Sequence, residues 1–334
     1  MNRHLLVGAV LVACVAMAPL QGYQTYGVRV NGRVVELKWS SQPLRYYVTN
    51  RGVPGVSAEA FRAAAARAFG TWQAAQGVSV SAEFVAFTAS DPFDDDGRVT
   101  LGFQERPDLD RVLGATSFLI DDVTGELLES DIFINSSFPW SVSSGGESGL
   151  FDLESIILHE TGHLFGLGHS AIGETELREG GGRRVLASEA VMFPIAFSAG
   201  STTGRVPRAD DIAGLSSLYP GGDVARNTGS IGGRVTKNGS GVFGAHVVAF
   251  NPQTGALVGG LSVDSRGTFS IGRLQPGSYI LRVEPIDDAE LDSFFDEPDE
   301  LNVDVDFRVT YYNKMVIVPR GGGAPEVEIE VVAK

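Results

Sequence analysis

Residues 159–170 read His159-Glu160-Thr161-Gly162-His163-Leu164-Phe165-Gly166-Leu167-Gly168-His169-Ser170, and no other stretch restricts the fold as tightly. The spacing predicts a helix over Leu153–Phe165, with Asp152 placed to cap it. Positions i and i+4 share one helical face, so His159 and His163 can reach the same ion. Glu160 sits beside them and can hold a water on that ion. Gly166, just past the second histidine, can take a left-handed backbone conformation and turn the chain sharply. That turn would bring His169 back as a third ligand. Three neutral imidazoles leave the fourth position of a zinc ion open, which marks a catalytic rather than a closed structural site. A lone helical histidine is more often a surface or core residue than a ligand. Here three of the chain's five histidines fall at these positions. A chance match of the whole pattern is on the order of 1 in 10⁵ per chain, which sets the bland reading aside.

The elements on either side read as mixed helix and strand. Val28–Val30, Val34–Leu37, Leu44–Val48, Val78–Phe87, Val99–Phe103, Ala115–Ile120 and Ser130–Asn135 are expected strands. Ser57–Gln76 carries Phe61, Ala65, Ala68, Phe69 and Trp72 at helical spacing, with Ser57 as N-cap and Gly77 as its stop. Ala209–Tyr219 is a third expected helix, closed by Pro220-Gly221-Gly222. From Gly229 onward only strands and turns are expected, at the spacing of a β-sandwich.

The 334 residues suggest two domains, and 43% hydrophobic residues supply material for real cores. A net charge of −15 repels phosphate backbones, so nucleic acid is excluded as a partner. Residues 1–20 pair a basic start at Arg3 with an apolar run from Leu5 to Ala18, too short to span a bilayer. They read as a signal peptide, which places the mature chain outside the cytoplasm, secreted or in the cell envelope. Two maturation routes fit. Leu11-Val12-Ala13-Cys14 resembles a bacterial lipoprotein box, which would make a lipid on Cys14 the only membrane contact. Ordinary cleavage near Ala16 or Ala18 would instead release the chain. Cys14 is the single cysteine, so no internal disulfide is expected.

The histidine pattern is the metzincin signature, and the neighbouring residues resemble its matrixin branch, the matrix metalloproteinase-like zinc endopeptidases. Ser170 directly follows the third histidine. Val191-Met192-Phe193-Pro194 looks like the Met-turn, with Met192 beneath the metal and Pro194 two residues on. Pro207–Tyr219 looks like the C-terminal helix with its paired aspartates, here Asp210 and Asp211, which by resemblance anchor the Met-turn or the N-terminus. Leu37-Lys38-Trp39 followed by Tyr46-Tyr47-Val48 looks like the opening strand. Phe69-Gly70-Thr71-Trp72 resembles the end of the first helix. The resemblance covers roughly residues 25–220. It implies an α+β catalytic domain over 23–220, with a twisted mixed five-stranded sheet and three helices. It also implies hydrolysis of peptide bonds in extended protein substrates, with a zinc-bound water and Glu160 as general base and then acid. By the same resemblance Asp131, Ile132 and Phe133 belong to an edge strand that pairs with substrate.

Three departures from the family pattern stand out. No PRCGxPD-type cysteine-switch motif occurs in the sequence, so latency by a thiolate on zinc is not expected. The histidines for a second, structural zinc are missing, and Ala196 stands where the family often has tyrosine. A protein of a different class, a secreted binding or adhesion protein on the same scaffold, is the alternative; the intact Glu160 weighs against it. The sequence is silent on oligomeric state.

The turn holding Asp91, Asp94 and Asp96 could offer carboxylates to calcium, which matrixins commonly bind, although solvated turns serve as well. Residues 284–306 contain 11 acidic and no basic residues, and are expected as an exposed insert. Residues 221–228 read as a linker. Residues 229–334 resemble the carboxypeptidase regulatory-like (transthyretin-like) sandwich, on Gly229–Val235, Gly244–Ala249, Gly267–Ile271 and Leu274–Tyr279. That signal specifies fold more than function.

Overall fold

The strand-forming apolar runs between residues 44 and 135 assemble into one mixed sheet in the computed structural model, which describes residues 3–8, 24–30, 33–121, 123–179, 181–295 and 297–334. Cys14, Ala16 and Ala18, and with them both maturation routes, lie outside the described residues. Among the described residues no helix is long and apolar enough to cross a membrane.

Strand β1 (Arg3–Gly8) precedes a hairpin of β2 (Gly27–Val30) and β3 (Arg33–Glu36). Strand β4 (Leu44–Thr49) leads to helix α1 (Ala58–Gln73), which Ser57 caps by accepting from the Ala60 amide. Then come β5 (Ala82–Thr88), β6 (Val99–Gln104), β7 (Gly114–Asp121), β8 (Leu127–Glu129) and β9 (Ile132–Asn135). Five of the seven expected strands stand in the order β7-β9-β6-β4-β5. The last four run parallel, and β7 is antiparallel to β9. Two further strands, β1 and β8, both pair with β7. Strands β6 and β9 are buried almost throughout, as continuous apolar runs in the middle of a parallel sheet require.

A short parallel pair, β10 (Trp140–Ser141) and β11 (Phe151–Asp152), leads into helix α2 (Leu153–Leu164). Asp152 caps α2 through the Ser155 amide and is gripped by the Arg205 guanidinium at 2.5 Å. Helix α2 packs on α1. The fully buried Trp72 fastens the two, since its indole N–H lies 3.0 Å from the Leu158 carbonyl and 3.1 Å from the Thr161 hydroxyl. Truncating a side chain so enclosed costs about 3–5 kcal/mol.

Beyond α2 stands a hairpin that the sequence reading did not anticipate, β12 (Gly173–Leu177) and β13 (Arg183–Ser188). Helix α3 (Ala209–Leu218) and a single turn, α4 (Val224–Asn227), complete this half.

The remaining chain forms two sheets around one apolar core. The first contains β14 (Gly229–Lys237), β15 (Ser240–Gly241), β18 (Thr268–Leu274) and β22 (Val327–Val331). The second contains β16 (His246–Phe250), β17 (Leu257–Leu261), β19 (Gly277–Glu284), β20 (Thr310–Tyr311) and β21 (Val316–Val318).

One expectation is overturned between β19 and β20. The acidic run is not a free-standing exposed insert. Ile286, Ala289, Phe294 and Phe295 are buried with Leu261, and Ala171 and Ile195 from the first half pack against them. Charge density hid the few apolar side chains that dock the segment.

Candidate metal centre

Helix α2 carries His159 and His163 on one face, as the i, i+4 spacing requires. Their Nε2 atoms lie 3.0 Å apart. The helix ends at once, because Gly166 takes a φ of +98°. A Cβ there would collide with the Leu37 carbonyl, so glycine is required on conformation and on space. The returning chain is clamped by the Tyr26 amide on the Gly166 carbonyl and the Gly168 amide on the Gln24 carbonyl, both at 2.8 Å. This delivers His169. One nitrogen from each of the three rings lies within 4.8 Å of the other two.

Each imidazole is fixed from behind by a main-chain carbonyl. His159 Nδ1 meets Val191 O at 2.8 Å, His163 Nδ1 meets Leu167 O at 2.8 Å, and His169 Nδ1 meets Ser293 O at 2.9 Å. A carbonyl can only accept, so every Nδ1 carries the proton. Every Nε2 is then left with its lone pair free for a metal. Burial lowers the pKa of all three rings, and their mutual repulsion adds to this for His163 and His169; His169 falls to about 3. The triad is therefore neutral at physiological pH, the form that ligates. Three convergent neutral nitrogens with a free position suit zinc.

Glu160 is buried between α2 and β7. The Thr116 hydroxyl lies 2.8 Å from its Oε2 and 3.0 Å from its main-chain carbonyl. Burial pushes the carboxyl up to about 8, against the opposing pull of Thr116. A divalent cation on the triad would pull it back down. Gly114 lies against the same carboxylate, where a Cβ would stand 3.2 Å from Oε1.

Met192 lies under the helix. A Cβ on Gly162 would strike its sulfur, so a mid-helix glycine, otherwise unfavourable, is what lets the turn approach. Asp211 holds the turn by accepting from the amides of Val191 at 2.9 Å, Met192 at 3.0 Å and Arg208 at 2.7 Å. Asp210 has a different partner from either expected one. It bonds the Ser170 side chain and accepts from the Gly259 amide of β17 at 2.8 Å.

A family profile described as Matrixin matches residues 38–178. This stretch is a matrixin domain. Two plant proteins from Arabidopsis thaliana are similar. Metalloendoproteinase 5-MMP is 35% identical over 98 residues, and Metalloendoproteinase 2-MMP is 28% identical over 166 residues. The matched stretches are 27% and 46% of this chain, and cover 22% and 35% of those proteins' own lengths. Matrixins are metalloendopeptidases that bind zinc. Within this domain His159, His163 and His169 are the group that could hold the metal.

The matrixin sheet corrects the expected edge strand. Ile132 and Phe133 lie in β9, which pairs with β6 on one side and with β7 on the other. Such a strand has no free ladder. The strand beside Glu160 and outside β9 is β7, whose other side pairs with β1, from Arg3 opposite Asp121 to Gly8 opposite Thr116. Sequence alternation identifies a strand but not its neighbours.

Asp131 serves the fold rather than a cleft. It is buried and accepts from the Phe93 amide at 2.6 Å and the Thr100 amide at 2.7 Å, tying down the acidic turn. Burial raises its carboxyl to about 7 against these two bonds. Its folded pKa thus exceeds the unfolded value near 3.8. The native state holds the extra proton in between, and the stability this gives is lost as pH rises through about 7. The stability of the wild type relative to Asp131→Asn should therefore decline from pH 4 to pH 8, as read by urea midpoints at both ends. A constant difference would contradict this.

The candidate calcium residues do not converge. Asp91 pairs with Arg51, Asp94 accepts from the Asp91 amide, and Asp96 accepts from the Arg98 amide. Among the described residues, the histidine triad is the group in which three His, Cys, Asp or Glu side chains come close enough to share one ion.

Sequence reasoning missed Thr116, Gly114 and Gly162. Only Gly162 left a trace, as a helix-interior glycine. Thr116→Val removes the hydroxyl at Glu160 while keeping its shape. A hydrogen bond to a charged group is worth about 1.5–3 kcal/mol, so kcat/KM should fall about 10-fold or more with zinc content unchanged. Unaltered kinetics would show that Thr116 does not position Glu160.

Proposed function

We propose that this chain is an exported zinc endopeptidase that hydrolyses extended protein or peptide substrates. The observation that carries the reading is the triad itself: three Nε2 lone pairs, fixed by three carbonyls, face one space beside a buried carboxylate.

His159, His163 and His169 would hold the zinc. Once bound, it would supply Lewis acidity toward a peptide carbonyl and acidify a water. Glu160 takes the proton from the attacking water and returns it to the leaving amine. Its enclosure by Thr116 and Gly114 keeps bulk water from competing for that proton. Substrate adds as a strand along β7, main chain to main chain, which favours unfolded segments and leaves sequence preference weak. In this reading residues 1–20 are a leader removed on export, and its loss frees the β7 edge that β1 pairs with.

The organisation we propose is a peptidase domain over 23–220, a linker over 221–228 and a carboxypeptidase regulatory-like sandwich over 229–334. The two sheets around a shared core support that last assignment. The acidic surface suits an extracytoplasmic protein, either released or held by a lipid on Cys14.

Hydrolysis of casein by the purified protein tests the function. The expected result is cleavage that stops on zinc chelation and returns with added zinc. One bound zinc per chain without cleavage of casein or of a peptide library would overturn the reading.

A further inference from the structure

Two of the three imidazoles are oriented by carbonyls near them in the catalytic half, Leu167 and Val191. The third is not. His169 Nδ1 reaches Ser293 O, 124 residues downstream, in the 3-10 turn Leu291–Ser293 between β19 and β20. Ser293 lies far outside the residues matched by the family profile.

This turn is held in place by several means. The next carbonyl, that of Phe294, accepts from Gln24 Nε2 at 2.9 Å, and Gln24 in turn clamps the His169 loop through Gly168. Phe294 is 1% exposed and packs in the apolar cluster that Ala171 and Ile195 join from the first half. Thr175 of β12 bonds Asp288 through its amide at 2.6 Å and its hydroxyl at 2.8 Å. The Asp210 bond to Gly259 fastens a second point, one residue-to-residue step from Ser170.

We propose that the C-terminal β module completes the metal centre: the docked 286–295 segment fixes the proton on His169 Nδ1 and aims Nε2 at the metal. Phe294 is its positioning residue. This rests on reading the triad as a zinc site. Without the carbonyl, His169 is free to rotate or to place its proton on Nε2, where it blocks ligation. The module is thereby a determinant of zinc affinity rather than a passive appendage.

The test compares Phe294→Ala with Ile329→Ala, which sits in β22 in the module's own core, away from the docked segment. Zinc affinity is read by competition with a chromophoric chelator, and ligand geometry by the visible absorption of the cobalt-substituted protein. Phe294→Ala should bind zinc about 10–100-fold more weakly and shift the cobalt spectrum. Phe294→Leu should recover most of both. Ile329→Ala should lose thermal stability but keep wild-type affinity and spectrum. Gln24→Ala, which leaves every apolar core intact, should weaken zinc binding in the same direction by a smaller factor, and it carries the test if Phe294→Ala does not fold. Wild-type affinity and spectrum in Phe294→Ala and Gln24→Ala overturn the proposal, as does an equal loss in Ile329→Ala. If instead His163→Ala binds zinc as well as the wild type does, it is the reading of the triad that fails.

Discussion

Glu160→Gln should lower peptide hydrolysis by about 10²–10⁴-fold while leaving one zinc per chain at near wild-type affinity. The substitution is isosteric. The Thr116 hydroxyl still finds an oxygen at 2.8 Å, and the triad keeps its three carbonyl partners. Only the capacity to accept and return a proton is lost. Initial rates on casein or a quenched peptide give the activity, and chelator competition gives the zinc. A variant with more than a tenth of wild-type activity would remove Glu160 from the chemistry. A variant that lost its zinc would instead mean that Glu160 supports the ligands.

Asp211→Ala is expected to be the most damaging substitution outside the triad. Its carboxylate is buried and satisfies three amides, those of Val191, Met192 and Arg208. Alanine leaves those donors without an acceptor. Each stranded buried donor costs about 1–3 kcal/mol, so a loss of about 3–9 kcal/mol follows for the three. Against a total stability of about 5–15 kcal/mol this is a large share. The consequence also reaches the metal, because Val191 supplies the carbonyl that orients His159. The urea midpoint should fall steeply and zinc should bind more weakly. Asp211→Asn keeps one acceptor oxygen and should fall in between. A loss below about 1 kcal/mol would mean that the Ser170 amide, which donates to the Met192 carbonyl at 2.9 Å, holds the turn by itself.

Both substitutions concern groups whose roles were legible to different degrees. The helix over 153–164, its Asp152 cap, the shared face of His159 and His163 and the turn at Gly166 could all be read from residues at most a few positions apart. Local backbone geometry decides such features: the 3.6-residue period, an amide in need of an acceptor, a φ that only glycine takes easily. The paired aspartates were legible as anchors by resemblance, but only Asp211 holds the Met-turn, and Asp210 binds β17.

The sequence by itself determined which side chains the centre is made of and which helix presents them. Tertiary structure decided what surrounds them: that β9 is an interior strand with β7 beside it and β1 beyond, that Thr116 meets Glu160 across 44 residues, and that Ser293 reaches His169 across 124. Such contacts carry no local signature. They exist because apolar faces must be buried, and whichever packing buries them brings distant polar groups together.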